Sequence, residues 1–499
     1  MNPRRFIIAV FFAVFTLLSG SIIAADRPNI VLIFADDLGW KDVGYQGSAF
    51  RETPHLDQLA SESMTFSQGY AAAGNCAPSR ACLLSGNYTP RHGVYAVGST
   101  DRGQKDLQRL VPVPNRSGLA AANVTIADAL KGAGYATGHF GKWHLGGKEG
   151  ADPTEQGFDV SFDSFGEGAV IEGSEGNKAG PPEDPKGVYT LTRKACEFIE
   201  KHREGPFFVY LAHHAIHTPL QARPETLKKF QEKPGSPGKV ETIAAACTYD
   251  LDDSVGIFLA KLKELGLEEN TLLVFTSDNG AVQDSSQEPL RGSKGGYYEG
   301  GIREPFLVRW PGVVKAGSKS DVPVINIDLF PTFLAAAGAS VPEGKTLDGE
   351  SLLPVLKGES TLARGSIFWH FPGYLDNPVN RGRELDVRTG FRSRPVSVIR
   401  QGDWKLHLFL EEWQLDGGRG ALPGNHAVEL YDLANDQGER VDLSSENAAK
   451  RDEMLDALLA WHQLIEAVNP TEANSSYDAA ATLQKGEKRG RKGKGGGEE

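Results

Sequence analysis

Three continuous apolar runs frame this chain: Asn29–Phe34 (NIVLIF), Phe207–Ala212 (FFVYLA) and Thr271–Thr276 (TLLVFT). They lack the alternation of a strand with one wet face. Such segments are buried on both faces, as parallel strands usually are. Each run leads into polar residues: Asp36-Asp37, then His213, His214 and His217, then Ser277-Asp278-Asn279-Gly280. Tyr135–Phe140 reads as a further strand, followed by Gly141-Lys142-Trp143-His144. Helices are expected over Pro54–Met64, Thr125–Lys131, Val188–Lys201 and Glu241–Leu265, the second stopping near Gly132 and Gly134. Strands alternating with helices imply an α/β fold, a large mostly parallel sheet sandwiched by helices. Polar clusters just after the strands lie where open α/β sheets hold their ligands.

The character changes after about residue 365. Pro395–Leu410 reads as a hairpin turning at Gln401-Gly402-Asp403, Val428–Leu433 as a short strand and Arg451–Ala467 as an amphipathic helix. The expected organisation is a signal peptide over 1–25, a catalytic α/β domain over 26–365, a small C-terminal antiparallel sheet plus helix over 366–480, and a disordered tail over 481–499. The stretch Gly173–Gly187, rich in Gly, Pro and charge, is a surface loop that could border a substrate.

Arg4 and Arg5, the apolar Phe6–Leu18 and the small residues up to Ala25 have the form of a cleaved export signal. No later stretch is long enough to cross a bilayer. Export places the chain in an oxidising compartment, periplasmic or extracellular, or lysosomal in a eukaryote. Yet 499 residues carry only four cysteines, Cys76, Cys82, Cys196 and Cys247, so this is not a disulfide scaffold. If Cys76 is converted, at most one bridge remains, and spacing does not pick the pair. A net charge of −12 argues against a polyanion-binding surface over the whole molecule. No nucleic-acid partner is expected.

Cys76-Ala77-Pro78-Ser79-Arg80 is the most chemically informative stretch. Pro78 can open a helix, which puts residue 76 at a helix N-terminus where negative charge is favoured. Arg80, four residues on, can reach back to the same place. An ordinary thiol there is expected to be activated. Asp36, Asp37, Asp278 and Asn279 offer hard oxygens from two strand ends, a set suited to calcium, with magnesium as second choice. Singly, an Asp pair is more often a cap or a solvated turn, and Asp-Asn-Gly is more often a turn. Lys142 and His144 stand two apart, on one side of an extended chain. A lone His217 would more often be structural, and the glycine-rich loop around Lys294 is alone a weak signal.

Together these motifs resemble the sulfatase family, in its order and over nearly the whole mature chain. The matching blocks are PNIVLIFADDLGW, CAPSRACLLSG, GHFGKWHLG, HAIHTP, LLVFTSDNG and GSKGGYYEGGIREP, with GDWKL and ELYDL near the C-terminus. The arylsulfatase and N-acetylgalactosamine-6-sulfatase group is the most similar. The resemblance implies that Asp36, Asp37, Asp278 and Asn279 bind one calcium ion. It implies that a maturation enzyme oxidises Cys76 to formylglycine, whose hydrate attacks sulfur. Arg80 and Lys142 would hold the nucleophile and the metal-side oxygens. His144 would accept a proton, and His217 and Lys294 would serve the leaving oxygen. Ser85 stands where many members carry Thr. A serine that contacts the sulfate in some relatives is not clearly placed, Ser161 and Ser164 being candidates.

The implied substrate is a sulfate ester, expected to be a sulfated carbohydrate. Two other readings are weighed. One is a phosphatase or phosphodiesterase of the same superfamily, which the cysteine motif and single-metal oxygen set disfavour. The other is a non-catalytic sulfated-glycan-binding protein, which would need a broken constellation. Trp143, Tyr297, Tyr298 and Trp369 could stack on sugar rings, but buried packing is the commoner use of such residues.

Overall fold

The computed structural model describes residues 27–146, 150–164, 181–281, 285–376 and 390–481. The signal-like segment, most of the 173–187 loop and nearly all of the basic tail lie outside these residues. Among the described residues no helix is long and apolar enough to cross a membrane.

The main sheet contains β1 (Asn29–Ala35), β2 (Met64–Phe66), β3 (Ala136–Gly141), β4 (Val160–Phe162), β5 (Phe207–Ala212), β6 (Thr271–Ser277), β7 (Leu307–Arg309) and β8 (Ser318–Ser320). Their order across the sheet is β8-β2-β7-β6-β1-β5-β3-β4. The run from β6 to β4 is parallel, and β7 is antiparallel to both neighbours. The apolar runs therefore occupy the centre, with Ile33 of β1 opposite Leu211 of β5 and Phe275 of β6.

All seven residues of β1 are buried because both faces are covered. Helices α1 (Pro54–Glu62), α2 (Cys76–Ser85), α3 (Ile126–Gly132), α4 (Val188–Lys201), α5 (Lys239–Glu264) and α6 (Leu329–Ala337) supply the cover. Ile30, Leu32 and Phe34 pack with Ala81 and Leu84 of α2, Leu130 of α3 and Phe333 of α6. Val31 and Ile33 face the other way, onto Leu59 of α1, Leu191 of α4 and Val255 of α5. The period-2 alternation of strand side chains thus fills two apolar layers.

A second, antiparallel sheet of β9 (Ile367–Phe371), β10 (Val396–Gln401), β11 (Trp404–Phe409) and β12 (Val428–Asp432) follows, backed by α7 (Ala448–Leu464). The β10–β11 hairpin turns through Gly402-Asp403, with Gln401 paired to Trp404 and Gly402 at φ 58°. This sheet meets the first body through Trp369, Val398, Leu406 and Tyr70. A buried ion cluster closes the seam: Lys405 lies 2.9 Å from Glu299 and 3.0 Å from Glu439.

Two details differ from the sequence reading, and a third was left open by it. The first helix stops at Glu62, and Met64 opens a strand instead. Helix α6 (LFPTFLAAA) was not anticipated, because Pro331 reads as a breaker; it stands within the first turn, where its missing N–H costs little. All four cysteines are free and buried, so no bridge joins Cys82, Cys196 or Cys247.

Candidate active site

β1, β5, β6 and β3 deliver their polar ends to one place. Asp36 and Asp37 follow β1. The Asp36 N–H donates to the Ala215 carbonyl (2.8 Å), and Ile216 N–H donates to the Asp36 carbonyl (2.6 Å), tying this turn to the segment after β5. Asp37 has φ 63°, a left-handed conformation costly for a non-glycine residue, and its N–H is held by Asp278 Oδ1 at 3.1 Å. His144, after β3, also has φ 63°. The chain there is not extended, yet Lys142 and His144 still serve the same cluster.

Helix α2 begins at Cys76 itself, with Pro78 in its first turn, so residue 76 opens the helix rather than preceding it. All ten residues of α2 are buried. The Cys76 Sγ lies 3.8 Å from Asp37 Oδ1. Ligand atoms of Asp36, Asp37, Cys76 and Asp278 all fall within 4.8 Å of one another.

Cations surround this cluster. Arg80 places Nε (3.0 Å) and Nη2 (2.7 Å) on Asp278 Oδ2, and donates from Nη1 to the Lys142 carbonyl (3.0 Å) and the Tyr210 hydroxyl (3.3 Å). Lys142 Nζ is 2.6 Å from Asp36 Oδ2, and Lys294 Nζ is 2.8 Å from Asp37 Oδ2. His217 Nε2 stands 3.8 Å from the same Asp37 oxygen.

The residues present fit a divalent cation. Asp36 Oδ1 and Asn279 Oδ1 are buried with no hydrogen-bond partner. Buried oxygens left unpaired are costly, and with the carboxylates of Asp36, Asp37 and Asp278 they are the kind of donor set a hard ion would take. Asn279 also donates from Nδ2 to Asp37 Oδ1 at 2.7 Å. All four sequence-derived metal candidates therefore converge. No cysteine–histidine set resembling a zinc site lies among the described residues beyond Asp36, Cys76 and His217.

Burial and charge compete at each titratable group. Burial raises Asp36, but Lys142, His217, Arg80 and Lys294 outweigh it and hold the carboxyl well below its usual range. Asp278 goes the other way, up to about 7, because burial is joined by the negative charge of Asp36. Burial lowers His217 to about 4 and is reinforced by Lys294. His144 is held well below its ordinary value by burial and by Lys142 and Arg80. The unmodified Cys76 thiol is pushed up to about 12, since burial exceeds the pull of Lys142 and Lys294. Burial beside carboxylates thus works against the activation expected from the helix terminus alone.

The glycine-rich loop is a packing device. A Cβ on Gly74 would stand 2.5 Å from the Gly296 carbonyl oxygen. Gly295 N–H donates to the Gly74 carbonyl at 2.7 Å, so backbone lies on backbone and Lys294 is carried to Asp37.

Tyr210 escaped the sequence reading because it sits inside an apolar strand; a buried tyrosine needs a partner for its hydroxyl, and that was the available signal. Of the two serines, Ser161 Oγ lies 2.9 Å from His139 Nδ1, and Ser164 lies near Gly187. Trp143, Tyr297 and Trp369 are buried, and Tyr298 is stacked on His407, so none of the four is an open sugar platform.

Fold and site together define an α/β enzyme with its polar centre at the carboxyl edge of the sheet. Comparison with known proteins supplies the family. The family model described as Sulfatase matches residues 28–339, and a model described as N-sulphoglucosamine sulphohydrolase, C-terminal, matches residues 293–391. Human arylsulfatase A is 34% identical, covering 93% of this chain and 91% of its own. Mouse N-acetylgalactosamine-6-sulfatase is 32% identical, covering 89% and 86%. The crystal structure of Ps i-CgsB, also solved in complex with k-i-k-neocarrahexaose, is 30% identical with a TM-score of 0.71, covering 90% of this chain and 95% of that one. The chain belongs to the sulfatase family and is a sulfuric ester hydrolase.

Proposed function

We propose that this sulfatase is an exported enzyme that cleaves sulfate esters on a carbohydrate, using an oxidised residue 76 and one calcium ion, with magnesium the second choice. The observation that carries the reading is the pair of unpaired buried oxygens on Asp36 and Asn279 beside Cys76, inside a ring of fixed cations. Relatives named for N-acetylgalactosamine-6-sulfate, and Ps i-CgsB with its neocarrahexaose, support a sulfated sugar as substrate. The division at about residue 365, the export signal and a maturation enzyme as partner belong to the same proposal.

Asp36, Asp37, Asp278 and Asn279 would hold the ion, which supplies Lewis acidity at the sulfate oxygens. Formylglycine hydrate at position 76 would supply the hydroxyl nucleophile and a second hydroxyl through which sulfate can leave as the carbonyl returns. The chain's own residues do the rest. Arg80 locks Asp278 with two donors and braces the Lys142 carbonyl. Lys142 and Lys294 both bring positive charge to bear on position 76, where an anionic ester must be neutralised. His144 keeps a buried, unpartnered Nδ1, an acceptor for a proton from residue 76. His217, anchored through Nδ1 to the Thr218 carbonyl at 2.6 Å, points Nε2 at Asp37 and is placed to serve the leaving oxygen.

The test compares matured wild type with Cys76→Ala on 4-nitrophenyl sulfate and 4-nitrophenyl phosphate. Sulfate release that Cys76→Ala abolishes, with slower phosphate turnover, supports the reading. Faster phosphate hydrolysis, or undiminished sulfate release by the variant, refutes it.

A further inference from the structure

Two polar side chains near the start of α4 have no contact partner among the described residues: Lys186 on the turn before the helix and Ser164 just past β4. Lys186 is only 6% exposed, yet among the described residues its ammonium makes no hydrogen bond or ion pair. A buried cation with no contact partner is costly. The nearby carboxylate of Asp184 is not available, because it accepts from the N–H groups of Tyr189 (3.2 Å) and Thr190 (2.8 Å) and so caps the helix. Cys247, also close to the ammonium, has its thiol pushed by burial up to about 12 and brings no counter-charge. Ser164 follows β4 at the carboxyl edge of the sheet. Its Oγ is buried without a partner and lies 2.1 Å from where a Cβ on Gly187 would stand. Glycine at 187, with φ 67°, is what lets the hydroxyl lie beside this turn. The Lys186 ammonium is also within electrostatic reach of Asp36, Asp37 and Lys142, so this turn borders the catalytic cluster. Burial lowers Lys186 to about 8, which still leaves it mainly protonated at neutral pH.

We propose that Lys186 and Ser164 form a second anion subsite, which takes a carboxylate or a further sulfate carried by the substrate next to the ester being cleaved. The substrate class is thus a glycan with two neighbouring anionic groups. The proposal rests on the sulfatase reading for the position of the first sulfate.

The test is calorimetric binding to the full chain carrying Cys76→Ala, which holds ligand without turnover. The probes are N-acetylgalactosamine 6-sulfate, its 4,6-disulfate, and the glucuronate-linked 6-sulfate disaccharide. At least one dianionic probe is expected to bind about ten-fold tighter than the monosulfate, as one charge-assisted contact allows. The preferred probe tells sulfate from carboxylate. Adding Lys186→Met is expected to abolish that preference, Ser164→Ala to reduce it about three-fold, and Lys186→Arg to keep most of it, which separates recognition from misfolding. Equal affinity for all three probes, no binding of the dianionic ones, or a preference that survives Lys186→Met overturns the subsite. Turnover of 4-nitrophenyl sulfate by the matured wild type reports separately on the sulfatase reading. Its persistence alongside lost discrimination in the parent sinks the subsite alone.

Discussion

Replacing Arg80 by lysine separates what the guanidinium fork does from what its charge does. Arg80 is fully buried, with two donors on Asp278, one nitrogen shared between the Lys142 carbonyl and the Tyr210 hydroxyl, and its Cζ 5.1 Å from the centroid of the Phe34 ring. A lysine ammonium reaches only one end of this arrangement. If it stays on Asp278, one charge-assisted bond is lost, at about 1.5–3 kcal/mol, and the buried Lys142 carbonyl is left unpaired at about 1–3 kcal/mol more. The expected destabilisation is about 4 kcal/mol. The assay is equilibrium urea unfolding followed by circular dichroism, with parent and variant both carrying Cys76→Ala so that maturation is equal. Cation binding should weaken in parallel, because Asp278 loses its fixed orientation. A variant within about 0.5 kcal/mol of the parent refutes the argument that geometry, rather than charge, is what position 80 supplies.

Other consequences follow from the same geometry. Lys142→Ala and Lys294→Ala should each lower kcat/KM for 4-nitrophenyl sulfate by about two to three orders of magnitude; a loss under about ten-fold contradicts their placement at the reacting group. Gly74→Ala drives a Cβ to 2.5 Å from the Gly296 carbonyl oxygen and should cripple turnover, whereas Gly132→Ala in α3 meets nothing within 4 Å and should be neutral or stabilising by up to about 1 kcal/mol. Glu299, held to about 2 against burial by Lys405, Arg303 and Arg400, gives an acid signature. Its folded value lies below the unfolded one, so its contribution to stability is complete above pH 4.5 and fades as pH falls towards 2. Glu299→Gln should remove this part of the acid transition in pH-jump unfolding; an unchanged transition refutes it.

How much of this was legible in the sequence follows from how local each signal is. β1, β5 and β6 announce themselves because burial on both faces leaves no charged residue inside them, and their ends then place Asp36, His217 and Asp278 at one edge. Met64–Phe66, Leu307–Arg309 and Ser318–Ser320 are three residues each, too short for any period, and exist because the sheet edge recruits them. The metal candidates and surrounding cations were readable from motif order. Their energetics were not: the Cys76 thiol looked activated from a helix terminus, and the burial that works against this shows only in the fold. Tyr210 and Lys186 carry no motif; one looks like strand and the other like loop, and each acquires meaning from neighbours far along the chain.

The most direct test asks whether the aspartates share an ion with position 76. Metal analysis of the purified, dialysed chain should find one tightly held calcium per molecule, and Asp278→Asn should lose it together with sulfate release. Full sulfatase turnover by a chain free of divalent cation, or undiminished calcium in a variant lacking both Asp36 and Asp278 carboxylates, would contradict the account.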